Sequence, residues 1–401
     1  MKILLLDPGL RTRAGHNAAL LAEFDLELRS LPRVRLSAAG SAALQAAEFK
    51  GLGCAPRPLF RIDGYWRPTP QDVLEPARLS GLVDSIVADV ERLPLEDFDG
   101  LLMPTVYPLH LIALARVAPR LARTRLMLGF LMPVSFWMPD TEACAVLGSQ
   151  VGEATMTLQQ HCELIAYSET GAYEFGGMRA DMATLLPPLA APTARLVESL
   201  ATAPAIGERV VFGFFGQPFT SKGLDVVANA SRALDPSRVS VRFRLPPGHE
   251  ALCQQLRSLA ACVDATSTDM SNDAYLRQMA EVDVVLACYD PAHYGDKMSG
   301  VVPEAVSLGK PLVVSEACRS LIGFLDRYAP GAFIAGAYQP GALAELLALP
   351  AELWRVVATK AHASSPVVRS LKGMRRYLAA GGLDALYSQT RTERADVSAA
   401  V

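Results

Sequence analysis

Short, almost uninterrupted apolar runs recur along this chain, and between them apolar residues return every three or four positions. A run with few polar breaks is what a parallel strand looks like when helices cover both faces of its sheet, and the longer period marks those helices. The first run is residues 2–7, followed by 98–104, 125–131, 163–168 and 183–188. Helical periodicity fills 18–27, 79–93 and 111–121. Residues 50–75 are rich in Pro, Gly and Arg and predict an extended loop. A Pro-, Ala- and Thr-rich stretch then interrupts the pattern and predicts a linker at 191–208. Beyond it the scheme restarts, with strands at 210–215, 239–245, 282–287 and 311–315 and a helix at 224–234. A basic helix is predicted over 366–380, and the tail from 381 to 401 lacks the pattern of a packed element.

Strands alternating with helices predict an α/β protein, and 401 residues exceed the usual size of one core. Two domains are therefore expected, at 1–190 and 209–365. The apolar fraction of 51% is enough to fill two cores, and a net charge of −3 gives no electrostatic basis for nucleic-acid binding. No apolar run is long enough for a membrane-spanning helix, and the opening run turns polar at Asp7, unlike a signal peptide; a cytoplasmic protein is expected. Seven cysteines (Cys54, Cys144, Cys162, Cys253, Cys262, Cys288, Cys318) are scattered without metal-ligand spacing and predict reduced thiols. Asn229-Ala230-Ser231 spells a glycosylation acceptor inside a predicted helix and is read as chance.

Candidate chemistry concentrates in the second half. Asp296 and Glu304 flank Met298-Ser299-Gly300-Val301, and Glu304 falls in the first turn of a predicted helix that closes at Gly309-Lys310-Pro311 before a strand. A helix start exposes backbone N–H groups and a positive dipole end, which suit a phosphate, while a neighbouring carboxylate can accept from sugar hydroxyls. The pattern resembles the acidic-x7-acidic motif of retaining GT-B glycosyltransferases, of the bacterial family 4 or group 1 type. That family usually has glutamate where Asp296 stands and a glycine-rich turn where 298–301 stand; Glu304-Ala305 and Gly309-Lys310-Pro311 match it. Upstream, the run at 210–216 leads into Gln217-Pro218-Phe219-Thr220-Ser221-Lys222-Gly223, which resembles the family's Gly-Arg-x4-Lys-Gly loop with Gln217 in place of the arginine. Glutamine donates a hydrogen bond but neutralises no charge, so Lys222 carries more of that load, with Arg242, Arg244 and Lys297 as candidates to compensate. On the residues alone, a strand–loop–helix unit whose acids cap a helix and whose lysine is solvated stays open.

The resemblance implies a GT-B fold: two Rossmann-like domains facing a cleft, with a C-terminal helix crossing back to the first. It implies transfer of a sugar from a nucleotide-diphosphate donor to a glycan, lipid-linked or small-molecule acceptor, with anomeric retention. Lys222, Asp296 and Glu304 are the implied catalytic set, and Gly216, Gln217, Met298, Ser299, Gly300 and Val301 the rest of the donor site. On the acceptor side Gly15 and His16 resemble the family's glycine loop, and His110 follows a strand end. No cofactor is implied beyond the substrate, whose base is open, and no metal: Asp97-Phe98-Asp99 spells a metal motif of a different glycosyltransferase fold, in an acid-rich turn. Trp66 and Trp137 are candidates for an aromatic wall, with core packing the alternative. Arg116, Arg120, Arg123 and Arg125 lie beside apolar segments and offer a basic face to a membrane or lipid-linked acceptor, a solvated helix face being the alternative. Base recognition is expected around 244–246 and 266–272. Two other functions fit the same architecture: a catalytically silent module binding glycan or a partner enzyme, to which Gln217 and Asp296 lend support, and a sugar-nucleotide epimerase or phosphorylase.

Overall fold

The computed structural model describes all residues except Ala14, Pro32, Gly176, Gly177, Asp269, Met270 and 384–401. Residues 384–401 of the predicted tail, and part of the stretch expected to recognise the base, lie outside the described residues; Leu383, at the start of that tail, is instead fully buried. The chain forms two compact units, one of Met1–Ala191 with the segment from Lys372, the other of Pro192–Leu371.

In the first unit seven strands make a parallel sheet in the order β3-β2-β1-β4-β5-β6-β9. They are β1 (Lys2–Leu6), β2 (Arg35–Ser41), β3 (Arg57–Phe60), β4 (Gly100–Met103), β5 (Arg125–Gly129), β6 (Glu163–Ser168) and β9 (Ala183–Thr184). Between the last two lies an antiparallel hairpin of β7 (Ala172–Phe175) and β8 (Met178–Asp181). Ile3, Leu4, Leu5 and Leu6 of β1 are fully buried, as a central strand covered on both faces requires. Helices His16–Leu28 and Met374–Ala380 cover one face, and Pro76–Val90, Pro108–Arg116 and Thr141–His161 supply the core of the other.

In the second unit six parallel strands run β12-β11-β10-β13-β14-β15. These are β10 (Val210–Phe215), β11 (Val239–Leu245), β12 (Val263–Ser267), β13 (Val284–Ala287), β14 (Leu312–Ser315) and β15 (Phe333–Gly336). Strand order reverses between β1 and β4 in one unit and between β10 and β13 in the other. At such switch points the loops leaving the carboxyl ends diverge and open a crevice for ligand.

Three expectations need correction. The predicted linker at 191–208 contains a helix, Ala191–Leu200, because Thr193 and Val197 give it a buried stripe. The predicted loop at 50–75 contains β3, an edge strand whose Leu59 and Phe60 are buried while Arg57 and Pro58 face out. The predicted crossing helix at 366–380 is two helices. Ala351–Leu371 runs through Pro366 and belongs to the second unit, and Met374–Ala380 packs in the first. The break falls at Lys372-Gly373, where Gly373 is extended and bridges Leu189.

Candidate active site

In the second unit, β10 ends at Gly216, whose φ of 104° favours glycine; a Cβ there would lie 3.1 Å from the Lys222 Nζ. The turn Thr220–Lys222 then closes on Gly223, with φ 77°, where a Cβ would meet the Cys288 carbonyl oxygen at 1.9 Å. The turn is fixed from outside as well, because Asp290 N–H donates to the Ser221 carbonyl and the Tyr338 hydroxyl to that of Thr220. Lys222 is therefore built into the switch-point crevice beside β13. Burial lowers its pKa, and the nearby Glu304 carboxylate works the other way. Glu304 lies in the first turn of helix Val301–Ser307, half-buried, and hydrogen-bonds Tyr275 from helix Asn272–Ala280. Burial, and then the charge of Glu304, push the Tyr275 hydroxyl well above its ordinary pKa, so it stays a hydrogen-bond donor.

Other members of the predicted donor site are placed differently. Ser299 is buried and its hydroxyl donates to Tyr289 at 3.0 Å, so it is committed to the interior rather than offered to a phosphate. Met298 and Val301 are buried too, which leaves Gly300 as the exposed position of that turn. The helix behind it, Val301–Ser307, carries Glu304 in its first turn and closes before Gly309, as the sequence predicts. Gln217 is exposed. Asp296 is exposed and holds Arg319 through two bonds, at 2.6 and 3.1 Å, instead of presenting a free carboxylate. The cations expected to compensate for Gln217 each have another partner. Arg244 pairs with Asp264 at 2.8 Å, Arg242 donates to the Glu281 carbonyl, and Lys297 sits 4.9 Å from the Tyr294 ring centroid.

At the switch point of the first unit, Asp7 follows β1 and is 1% exposed. Its carboxylate accepts from Asn17 Nδ2 at 2.7 Å, from the Tyr107 hydroxyl at 3.0 Å and from Gly9 N–H at 3.1 Å. Burial nevertheless raises its pKa to about 6, those three donors opposing the rise. The Tyr65 hydroxyl donates to Asn17 Oδ1 and lies 3.3 Å from His16 Nε2. Gly15 caps helix His16–Leu28 with φ 93° and open space beside it. His110, predicted to face a ligand, is 3% exposed. Its Nε2 is 2.9 Å from the Ile62 carbonyl, which can only accept, so that nitrogen carries the proton. Burial lowers the His110 pKa to about 4, against the pull of the Ile62 carbonyl, so the ring is neutral at pH 7.

Asp7, Asn17, Tyr65, Tyr107 and Tyr275 escaped the sequence reading. Only Asp7 left a signal, as the first polar residue after a buried strand. Asp99, of the metal-like triplet, accepts from the Lys2 N–H at 2.7 Å and so ties down the sheet. The predicted basic face is largely neutralised: Arg116 pairs with Asp84, Arg120 with Glu96 and Arg125 with Glu163. No helix among the described residues is long and apolar enough to cross a membrane.

No protein-family model matches the chain, and no curated protein matches it in sequence. Solved structures do match in fold. HepE of Anabaena, in complex with UDP, is 16% identical over 98% of this chain and 100% of its own, with a TM-score of 0.57. The same protein was also solved with UDP-glucose, at TM-score 0.55. A UDP-forming α,α-trehalose-phosphate synthase from Burkholderia xenovorans, in complex with glucose-6-phosphate, is 14% identical over 98% of this chain and 99% of its own, with a TM-score of 0.58. Likeness at such identity is likeness of architecture, and the architecture of this chain is that of the GT-B glycosyltransferases.

Proposed function

We propose that the chain is a glycosyltransferase that takes a nucleotide-sugar donor on its second unit and a hydroxylated acceptor on its first. The observation that carries this reading is the half-buried Lys222 held beside Glu304 and Tyr275 at the β10/β13 switch point. Lys222 would meet the diphosphate and stabilise the charge that grows on it as the sugar leaves. A diphosphate there would add to the counter-charge that Glu304 gives this half-buried lysine. Glu304, its carboxylate oriented by Tyr275, would accept from ribose hydroxyls. UDP and UDP-glucose in HepE favour uridine as the base. Transfer is proposed to proceed with retention, the leaving phosphate taking the acceptor's proton.

The test is a thermal-shift series with UDP, GDP and ADP and their glucose conjugates, on the native chain and on Lys222→Ala and Glu304→Ala. A ligand that binds only the folded state raises the melting temperature with its occupancy. Stabilisation by the uridine series, lost in Lys222→Ala and reduced in Glu304→Ala, is expected. Indifference to every nucleotide at millimolar concentration would remove the donor site. The pairing of Asp296 with Arg319 favours the silent-module alternative, because it removes a carboxylate from the sugar end. Binding without any turnover of UDP-sugars across an acceptor panel would support that alternative.

A further inference from the structure

Two opposite charges share the crevice at the end of β10 without pairing. The Lys222 Nζ lies over Gly216, where a Cβ would stand 3.1 Å from it, and Glu304 Oε1 lies over Gly300, 3.7 Å from a Cβ there. The carboxylate favours the charged form of the lysine, so the two ends feel one another. Yet no ion pair joins them among the described residues. Burial disfavours the ammonium, and direct contact with a carboxylate would relieve that cost, so the separation has to be held.

Tyr275 is placed to hold it. Its hydroxyl donates to the Glu304 carboxylate, and among the described residues no other hydrogen bond to that carboxylate is found. The ring is anchored edge-on against Phe215, the buried last residue of β10, with centroids 5.9 Å apart and planes at 81°. It stands on helix Asn272–Ala280, whose Leu276 and Met279 are buried, so a packed element carries the hydroxyl. We propose that Tyr275 is a positioning residue that keeps the Glu304 carboxylate off Lys222, so that the ammonium stays open to a diphosphate. A hydrogen bond to an ionised acceptor is about twice as strong as a neutral one and competes with an ion pair in a half-buried place. A carboxylate has about four lone-pair sites, so one bond to Tyr275 fixes its direction and leaves room for sugar hydroxyls. Without the hydroxyl, Glu304 would turn to the lysine and cancel the charge that the crevice offers a phosphate. The inference rests on the donor reading of Lys222, and it differs from orientation of Glu304 toward ribose because it predicts an effect on a ligand that has no ribose.

That ligand is inorganic pyrophosphate, titrated calorimetrically into the full chain beside UDP at millimolar concentration. The variants are Tyr275→Phe, Glu304→Gln and the two combined. Tyr275→Phe keeps the ring against Phe215, and a cooperative melt checks its fold. Affinity for both ligands is expected to fall about tenfold in Tyr275→Phe. In the double variant pyrophosphate affinity is expected to return to the native value or above it, because a glutamine carries no charge to pair with the lysine. Glu304→Gln alone is expected to bind pyrophosphate at least as tightly as the native chain. A merely structural role for Tyr275 would give no such rescue. Native pyrophosphate affinity in Tyr275→Phe, an equal loss with and without Glu304→Gln, or a native chain that binds UDP but not pyrophosphate would each overturn the proposal. UDP binding abolished by Lys222→Ala, with pyrophosphate indifferent to Tyr275→Phe, would sink this inference and leave the donor reading standing. No response of the native chain to either ligand would remove both.

Discussion

Asp7 is wholly enclosed, so ionising it takes a charge out of water against only three short-range donors. Burial sets its pKa near 6 rather than 3.8, with Asn17, Tyr107 and Gly9 opposing. The folded state therefore holds this proton more tightly than the unfolded chain does. The resulting stability is complete below the unfolded value and is lost as pH rises through the folded one. About two pKa units at about 1.4 kcal/mol each give roughly 3 kcal/mol lost between about pH 4 and 6. Asp7→Asn keeps the shape and an acceptor oxygen for Asn17 but cannot ionise. Urea denaturation at several pH values should show the stability of Asp7→Asn, relative to the native chain, rising by about 2–3 kcal/mol from pH 4 to pH 7. A difference that does not move with pH would mean that Asp7 ionises as freely in the folded chain as in the unfolded one.

Loop geometry, at the scale of elements, decides whether Lys222 can act at all. Gly223 has φ 77° and its Cα hydrogen faces the Cys288 carbonyl, so Gly223→Ala combines about 1–3 kcal/mol of backbone strain with a clash at 1.9 Å. The turn must move, and Lys222 moves with it. The variant should melt lower and, while still folded, lose the uridine-nucleotide shift as Lys222→Ala does; an intact shift would show that the lysine's position does not depend on this turn. The spacing of Lys222-Gly223 and of Glu304 was visible in the sequence because the turn and the helix start are local. Tyr275 was not, since its contact with Glu304 is made across the fold. Strength of pattern explains the rest. The run Val-Val-Phe-Gly-Phe-Phe of β10 announces itself, whereas β2, built largely from Leu, Ser, Ala and Gly, does not. Helix Thr141–His161 buries Ala143, Gly148, Ala154 and Thr155 alongside Leu147, Val151 and Leu158, so its apolar stripe contrasts little with its outer face.

For the whole molecule, the chain's end is part of its beginning. Met374, Tyr377, Leu378 and Leu383 are each no more than 2% exposed and share a core with Leu5, Phe24, Met127 and Tyr167. Tyr377 packs edge-on against Phe24 at 5.6 Å and Tyr167 at 5.3 Å, and its hydroxyl meets that of Tyr167. The helix Met374–Ala380 thus covers a face of the first sheet that the first 191 residues leave open. The sequence predicted a returning basic helix over 366–380, whereas the turn that separates the two helices comes later, at Lys372-Gly373. Burying four such side chains is worth about 2 kcal/mol each, so removing them subtracts roughly 6–10 kcal/mol, comparable with the entire stability of a typical domain. A chain ending at Leu371 should therefore lose the cooperative melting of its first unit. Limited proteolysis should then degrade residues 1–191 while a fragment near 192–371 persists, still stabilised by the nucleotide that protects the native chain. Survival of an intact 1–191 fragment under the same protease would show that the first sheet closes its own core without the C-terminal helix.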